Sequence, residues 1–257
     1  MRGRRSFRLP EAVTFLALSA FPALARAQAA PPPQPPPPPP HHEVTADVAF
    51  VGTTGNSSTS SFAAGADYIA RPTNWLIRNR ARIVRNSTAG DVTAESLFYN
   101  FRAERTLTDR ISAFGSLGLF RDVPAAIAVQ TTLTGGISFK VHTDERQSFV
   151  TDVGLGYLNE DRLVGDDIST ATYGAGTSYK LKLSETADLS DDFRIIGTFA
   201  RSDDWRFDHV LAVTAKLTTI FSLKASTGVR YANFPPPGKK KTDTTTAMAL
   251  VASFKRQ

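Results

Sequence analysis

The sequence predicts an all-β fold: a transmembrane, antiparallel, up-and-down β-barrel of about 12 strands. Three observations carry that expectation. From residue 44 onward, apolar and polar residues alternate with a period of two, as side chains do on the two faces of a strand. The runs are long. Ser169 to Leu183 keeps Ala171, Tyr173, Ala175, Thr177, Tyr179, Leu181 and Leu183 on one face over about fifteen residues, where soluble strands run about five or six. No stretch beyond the N-terminus approaches 18 uninterrupted apolar residues, which excludes a bundle of membrane-spanning helices.

Residues 1–27 read as a secretory signal peptide. Arg2, Arg4, Arg5 and Arg8 form a basic start, Ala12 to Leu24 a short apolar core, and Ala25-Arg26-Ala27 a small-residue cleavage site. The apolar core is too short to span a bilayer, and Pro22 lies within it. Residues 28–43 read as a proline-rich periplasmic linker, because PPPQPPPPPP at 31–40 fixes φ and removes N–H donors, giving an extended rod. His41 and His42 follow, but two ligands make no metal site. Residues 44–257 are the barrel.

Of 30 Lys+Arg and 24 Asp+Glu, the first 27 residues hold Arg2, Arg4, Arg5, Arg8 and Arg26 against Glu11 alone. Without them the chain carries a net charge of +2, so its basicity does not argue for nucleic acid. The absence of cysteine excludes disulfides, zinc-thiolate sites and a thiol nucleophile.

The strands follow in order, each a period-two run bounded by turn residues. Residues 44–53 and 59–70 are divided by Thr54 to Ser58. After Arg71-Pro72-Thr73-Asn74, residues 75–86 set Trp75, Ile77, Ala81 and Ile83 against Arg78, Arg80 and Arg82. Ser87 to Asp91 leads into 92–107, and Thr108-Asp109-Arg110 into 111–121. Asp122 to Ala128 precedes 129–141, where Val129, Leu133, Ile137, Phe139 and Val141 oppose Gln130, Thr132, Thr134, Ser138 and Lys140. His142 to Arg146 turns into 147–159, and Glu160 to Ile168 into 169–183. Ser184 to Asp188 precedes 189–201, Ser202 to Trp205 precedes 206–217, and Thr218 to Ile220 precedes 221–234. Pro235 to Asp243 leads into 244–255, whose Met248, Leu250, Ala252 and Phe254 alternate towards a terminal aromatic. Even-numbered connections are compact and odd-numbered ones mostly longer, which fits short periplasmic turns, longer external loops and both termini in the periplasm.

Parity assigns the faces. Arg78, Arg80, Arg82, Asn100, Arg102, Glu104, Lys140, Asp152, Lys180, Lys182, Asp192, Arg194, Lys216, Lys224 and Arg230 should line the lumen. Trp75, Tyr99, Phe101, Tyr173, Tyr179, Tyr231 and Phe254 should form an aromatic girdle near the membrane interfaces. On parity alone, Gly174→Arg should be tolerated far better than Ala175→Arg. The three arginines at 78, 80 and 82 repel one another unless partners face them, and Asn100 and Glu104 on the next strand are the candidates.

The chain resembles the salt-induced outer membrane protein family, a domain-of-unknown-function group of barrels. The resemblance rests on Gly55-Asn56-Ser57 after an early strand, Ala94-Glu95, and Phe114-Gly115-Ser116-Leu117-Gly118-Leu119-Phe120-Arg121-Asp122. Gly154-Leu155-Gly156-Tyr157 with Asn159-Glu160-Asp161 adds to it. It implies an outer-membrane location and supplies no catalytic residues, substrate or cofactor.

An enzyme is the rival class. A serine esterase needs a hydroxyl within reach of an oriented histidine. His142 falls in an expected turn beside Asp144 and Glu145. His209 shares a face with Leu211, Val213, Ala215 and Leu217 and should meet lipid near the outer rim. An outer-membrane phospholipase places its nucleophile two residues from its histidine; here those positions hold Phe207 and Leu211, or Lys140 and Asp144. Glu104, Asp152, Asp192 and Asp208 face inward among many cations, an arrangement that neutralises charge rather than activating water. Asp166-Asp167 and Asp203-Asp204 are acidic loop pairs without calcium-loop spacing. No catalytic, cofactor or metal residues emerge. The expectation is a non-enzymatic outer-membrane barrel, exported by the Sec route and inserted by the barrel assembly machinery. It would be a narrow anion-favouring pore or a plugged barrel, with outer-membrane lipids and lipopolysaccharide as partners and Lys239-Lys240-Lys241 meeting phosphates. The alternative is an enzyme or receptor acting on lipid or lipopolysaccharide.

Overall fold

The computed structural model describes residues 41–54, 59–88 and 91–256. The expected signal peptide, the whole proline tract and the Gly55-Asn56-Ser57 motif lie outside them. Twelve strands follow in chain order: β1 His42–Thr54, β2 Thr59–Ala70, β3 Trp75–Thr88, β4 Asp91–Thr106, β5 Ile111–Asp122, β6 Ile127–Thr143, β7 Gln147–Arg162, β8 Ile168–Lys182, β9 Ala187–Thr198, β10 Trp205–Lys216, β11 Phe221–Ala232 and β12 Thr242–Arg256. Each pairs antiparallel with its neighbours in sequence, and β1 closes on β12 from His42↔Arg256 to Thr54↔Thr244. Closure leaves no strand edge with unpaired backbone groups. The first strand begins at His42, so the last two residues of the expected linker belong to the wall.

The wall is apolar outside. Val48, Leu133, Leu155, Tyr157, Met248 and Phe254 are all at least half exposed on the outward face. So wide an apolar belt is foreign to a soluble monomer and normal for a barrel in a bilayer. At the end that carries the first and last strand termini, turns of three or four residues join the strands. Side-chain oxygens fold these turns: Thr108 and Thr218 Oγ1 accept the N–H groups of Ile111 and Phe221 at 3.0 and 2.9 Å. At the opposite end the connections grow along the chain, from residues 123–126 through 163–167 and 199–204 to 233–241. The connection expected as a long loop at 122–128 is instead a tight turn, with Ala126 at φ 59° and buried.

Glycines allow the close approach of β6 to β7 and of β8 to β9. A Cβ placed on inward-facing Gly174 would lie 2.7 Å from the Ile195 carbonyl oxygen, and one on Gly136 would strike the Val153 carbonyl oxygen. Parity therefore misjudges Gly174→Arg: its face is right, but backbone occupies the space. A cleaner test of the faces is one residue pair further along β8. Ser178 stands opposite Asp192 on β9 and faces inward; Thr177 stands opposite Phe193 and faces outward. Thr177→Arg should cost about 2–4 kcal/mol in a bilayer. Ser178→Arg should be near neutral, as read by urea midpoints in lipid vesicles.

Candidate functional site

Register places all fifteen expected lumen residues on one face, and contacts between distant strands show that this face is the interior. Arg230 on β11 reaches Asp122 on β5, 3.5 Å away and six places round the ring of twelve, and lies 3.9 Å over the Phe120 ring. Arg206 on β10 meets Glu160 on β7 at 2.7 Å. Arg102 on β4 meets Asp152 on β7 at 2.8 Å, and Ser138 joins both carboxylate and guanidinium at 2.6 Å. Such pairs can form only across the lumen.

The interior divides along its axis. Towards the loop end it is filled. The Glu160 side chain is 1% exposed and held by Arg162 at 2.6 Å and by Arg206, which also bonds Asp204 at 3.1 Å. Inward carboxylates at the end of an open tube would be wet, so the interior around Glu160 is packed, while Asp208 beside Arg230 stays half exposed. Three loops converge there: Arg162 donates to the Phe234 carbonyl, Asn233 donates to the Asp203 carbonyl, Arg201 lies over the Phe234 ring, and Gly165 abuts Pro237. Phe98, Phe120, Ala125 and Ile127 form an apolar cluster beside them. A second cluster, Ala49, Val51, Ala249 and Val251, lines the β1–β12 seam.

The half nearer the strand termini is basic. Arg80 and Arg82 are paired, but not with β4: Asp67 on β2 takes both, at 2.7 and 2.6 Å, and Asp47 on β1 adds a contact to Arg82 at 3.3 Å. The β2–β3 register sets Asp67 directly opposite Arg80, while Asn100 opposite it turns to the Leu117 carbonyl and Glu104 to Arg102. Among the described residues Arg78, Lys140, Lys180, Lys182, Arg194 and Lys224 enter no ion pair, and Lys216 bonds only the Glu185 carbonyl. The inward carboxylate Asp192 is likewise without an ion pair.

The expected girdle residues all face outward. Tyr173 packs edge-on to Phe199 at 5.1 Å, and Tyr231 stacks on Trp205 at 4.9 Å, both near the loop end. Tyr99 differs from the expectation: it sits mid-strand, where its hydroxyl donates to Asn79 at 2.8 Å. Trp205 and Phe207 extend the aromatic surface; their parity with His209 was the available signal.

His142 is a strand residue, beyond a bulge in β6. Its ring bonds Asp144, and this bond together with the N–H groups of Gln147 and Arg146 holds the Asp144 carboxyl at about 2. The turn therefore keeps its ionised acceptor until the pH falls towards that value. His209 is not at the rim but midway along the outer wall, 3.0 Å from Asp191 and flanked by Phe193. No Ser or Thr hydroxyl bonds it among the described residues. Each of this outward polar pair satisfies the other, so His209→Leu alone should cost about 1–3 kcal/mol by orphaning Asp191. Asp191→Leu with His209→Leu should recover most of that loss in urea titrations. The acidic loop pair at 203–204 is split: Asp203 pairs with Arg201 at 3.0 Å, and Asp204 is buried on Arg206.

Residues 46–254 match the model of a family described as protein of unknown function, DUF481. The chain belongs to the DUF481 family. No curated protein matches it. Among solved structures, a NanC porin is 8% identical with a TM-score of 0.55, over 80% of this chain and 98% of that one. An outer membrane channel from Pseudomonas putida F1 is 11% identical with a TM-score of 0.52, over 84% and 96%. At such identities these likenesses show the fold alone, which this DUF481 member shares with outer-membrane barrels.

Proposed function

We propose that this DUF481 protein is an integral outer-membrane barrel that forms a narrow, anion-favouring passage and performs no catalysis. In this reading both termini are periplasmic, the outward belt contacts lipid, and the loop end faces outside with Lys239, Lys240 and Lys241 towards lipopolysaccharide phosphates. The observation that carries it is the inward set of six Lys and Arg without ion-pair partners, set against a packed loop end. Unneutralised cations lining a confined aqueous path raise the local concentration of anions. The Arg80 and Arg82 part of the stripe is wall structure, tied to adjacent strands; the constriction is the Glu160–Arg206 and Arg230–Asp122 network instead. The salt-induced label is a separate proposal, read by whether transcript levels follow external salt.

The test is the reversal potential of the purified protein in planar bilayers under a tenfold KCl gradient. It should take the sign of chloride preference and move towards zero as salt shortens the screening length. Replacing Lys140, Lys180, Lys182 and Lys224 with Gln should shift it towards cation preference. A cation-selective wild type would end the reading.

A further inference from the structure

Resting on the reading of the loop end as external, we propose that the outer wall binds one molecule of lipid A, the lipid anchor of lipopolysaccharide. An acyl chain lies in an oblique trough across β6 to β10, and a phosphate meets Lys240 and Lys241 at the trough's loop end. The trough has a volume of about 770 Å³. Register draws its course. Gly135, Leu155, Tyr173, Gly197 and Trp205 stand opposite one another in turn, from well inside β6 to the first residue of β10. Ile137, Val153, Ala175 and Ile195 form the next outward row.

Small residues set among large ones give the trough its floor. Gly135 and Ala175 are exposed. The Tyr173 ring lies over Gly197, where an added Cβ would meet its Cζ at 2.5 Å, and packs edge-on to Phe199 at 5.1 Å, so it leaves the space above Ala175 open. Four inter-strand spacings separate β6 from β10, about 19 Å. At a strand tilt of about 40° this course rises about 12 Å towards the loop rim, close to the roughly 15 Å depth of one hydrocarbon leaflet. An empty trough in hydrocarbon forfeits the dispersion contacts of its lining, and an acyl chain laid along it restores them.

Charge at the loop end selects this lipid from its neighbours. Ser202 and Trp205 line the trough there. The Trp205 carbonyl accepts the Asn233 N–H at 2.9 Å, and the Ala232 N–H donates to the Lys241 carbonyl at 2.8 Å. The rim therefore runs from Trp205 to Lys241 over two strand spacings, about 10 Å. The Asn233 side chain holds the corner, donating to the Asp203 carbonyl at 2.8 Å and accepting from Lys241 Nζ at 2.8 Å. Lys240 and Lys241 are exposed. Ammonium groups beside the end of an apolar trough match a lipid that carries anionic phosphate above its chains. A zwitterionic phospholipid fits the trough but lacks the net charge.

Lipid A titrated into the detergent-folded full chain tests this, with binding counted by native mass spectrometry. In a Trp75→Phe background the emission of Trp205, the other of the chain's two tryptophans, reports from the trough itself. One saturable molecule per chain is expected, bound at least tenfold more tightly than phosphatidylethanolamine and shifting Trp205 to the blue. Gly135→Leu with Ala175→Leu fills the trough and should weaken lipid A tenfold or more. Both positions are outward, and the nearest atom to a Cβ on Gly135 is the Phe114 carbonyl oxygen at 3.8 Å, so the fold accepts them. Gel migration before and after boiling verifies this for every variant. Lys240→Gln with Lys241→Gln should bring lipid A down to the affinity of phosphatidylethanolamine. Val141→Leu, outward near the turn end, should change nothing. Wild-type affinity in either double variant, or equal affinity for the two lipids, overturns the site. A two-chain mass that the trough-filling pair abolishes would give the trough to a second copy and overturn it too. Orientation is read separately. The chain has no cysteine, so Lys240→Cys reports it on whole cells through a membrane-impermeant maleimide. An unlabelled cysteine sinks the external reading of the loop end, whereas a labelled one without saturable lipid A binding sinks the groove alone.

Discussion

Glu160→Ala is expected to destabilise the barrel by about 3–5 kcal/mol, because removing one partner of a buried ion cluster leaves the others uncompensated. The carboxylate accepts from Arg162 Nε at 2.6 Å and Arg206 Nη1 at 2.7 Å, and Arg162 and Arg206 are themselves 3% and 13% exposed. Two guanidiniums would remain at the packed end with Asp204 as the single close carboxylate. The urea midpoint in vesicles should fall sharply. Glu160→Gln should fall nearly as far, since it keeps the shape and loses the charge. A midpoint unchanged in both variants would mean that the loop end is wet and the cluster contributes little.

Gly174→Arg and Gly136→Leu are expected to lose at least the roughly 1–3 kcal/mol of ordinary overpacking, and to fail insertion where the wall cannot shift. The obstructing atoms at Gly174 are the Ile195 carbonyl and Ile196; at Gly136 they include the Val153 carbonyl, Gly154 Cα and the Phe114 ring. Backbone in a closed hydrogen-bonded ladder cannot move aside as a flexible side chain can. Heat modifiability of the variants beside Ser178→Arg separates this cause from a general intolerance of inward arginine. Normal folding of Gly174→Arg would show that the strands can spread.

The contrast between Ser178 and Gly174 marks how far the sequence alone was legible. Period-two alternation is a local property, so it placed β8, its faces and the inward and outward sets around the ring. Which inward groups meet is not local. Arg230 and Asp122 are 108 residues apart, and parity says that both face inward without saying that they stand across from each other. Alternation points to β4 for the partners of Arg80 and Arg82, one strand too late, since register against β2 and β4 is equally compatible with it. Glu160 and Asp122 read as loop residues because polar strand ends resemble loops, although Glu160 shares its parity with Asp152. His209 and Asp191 were legible only in part: alternation turned His209 outward, but the stagger between β9 and β10 decides its depth and its partner.

Single-channel conductance of the wild type beside Arg230→Ala, in planar bilayers at matched salt, tests the account most directly. Arg230 ties Asp208 at 3.0 Å to Asp122 across the lumen, so its loss should open the narrow end while the basic lining stays in place. The account predicts small or rare wild-type events and a several-fold larger, still anion-selective conductance in the variant. Identical conductance in both proteins, or a variant that opens with cation selectivity, would contradict it.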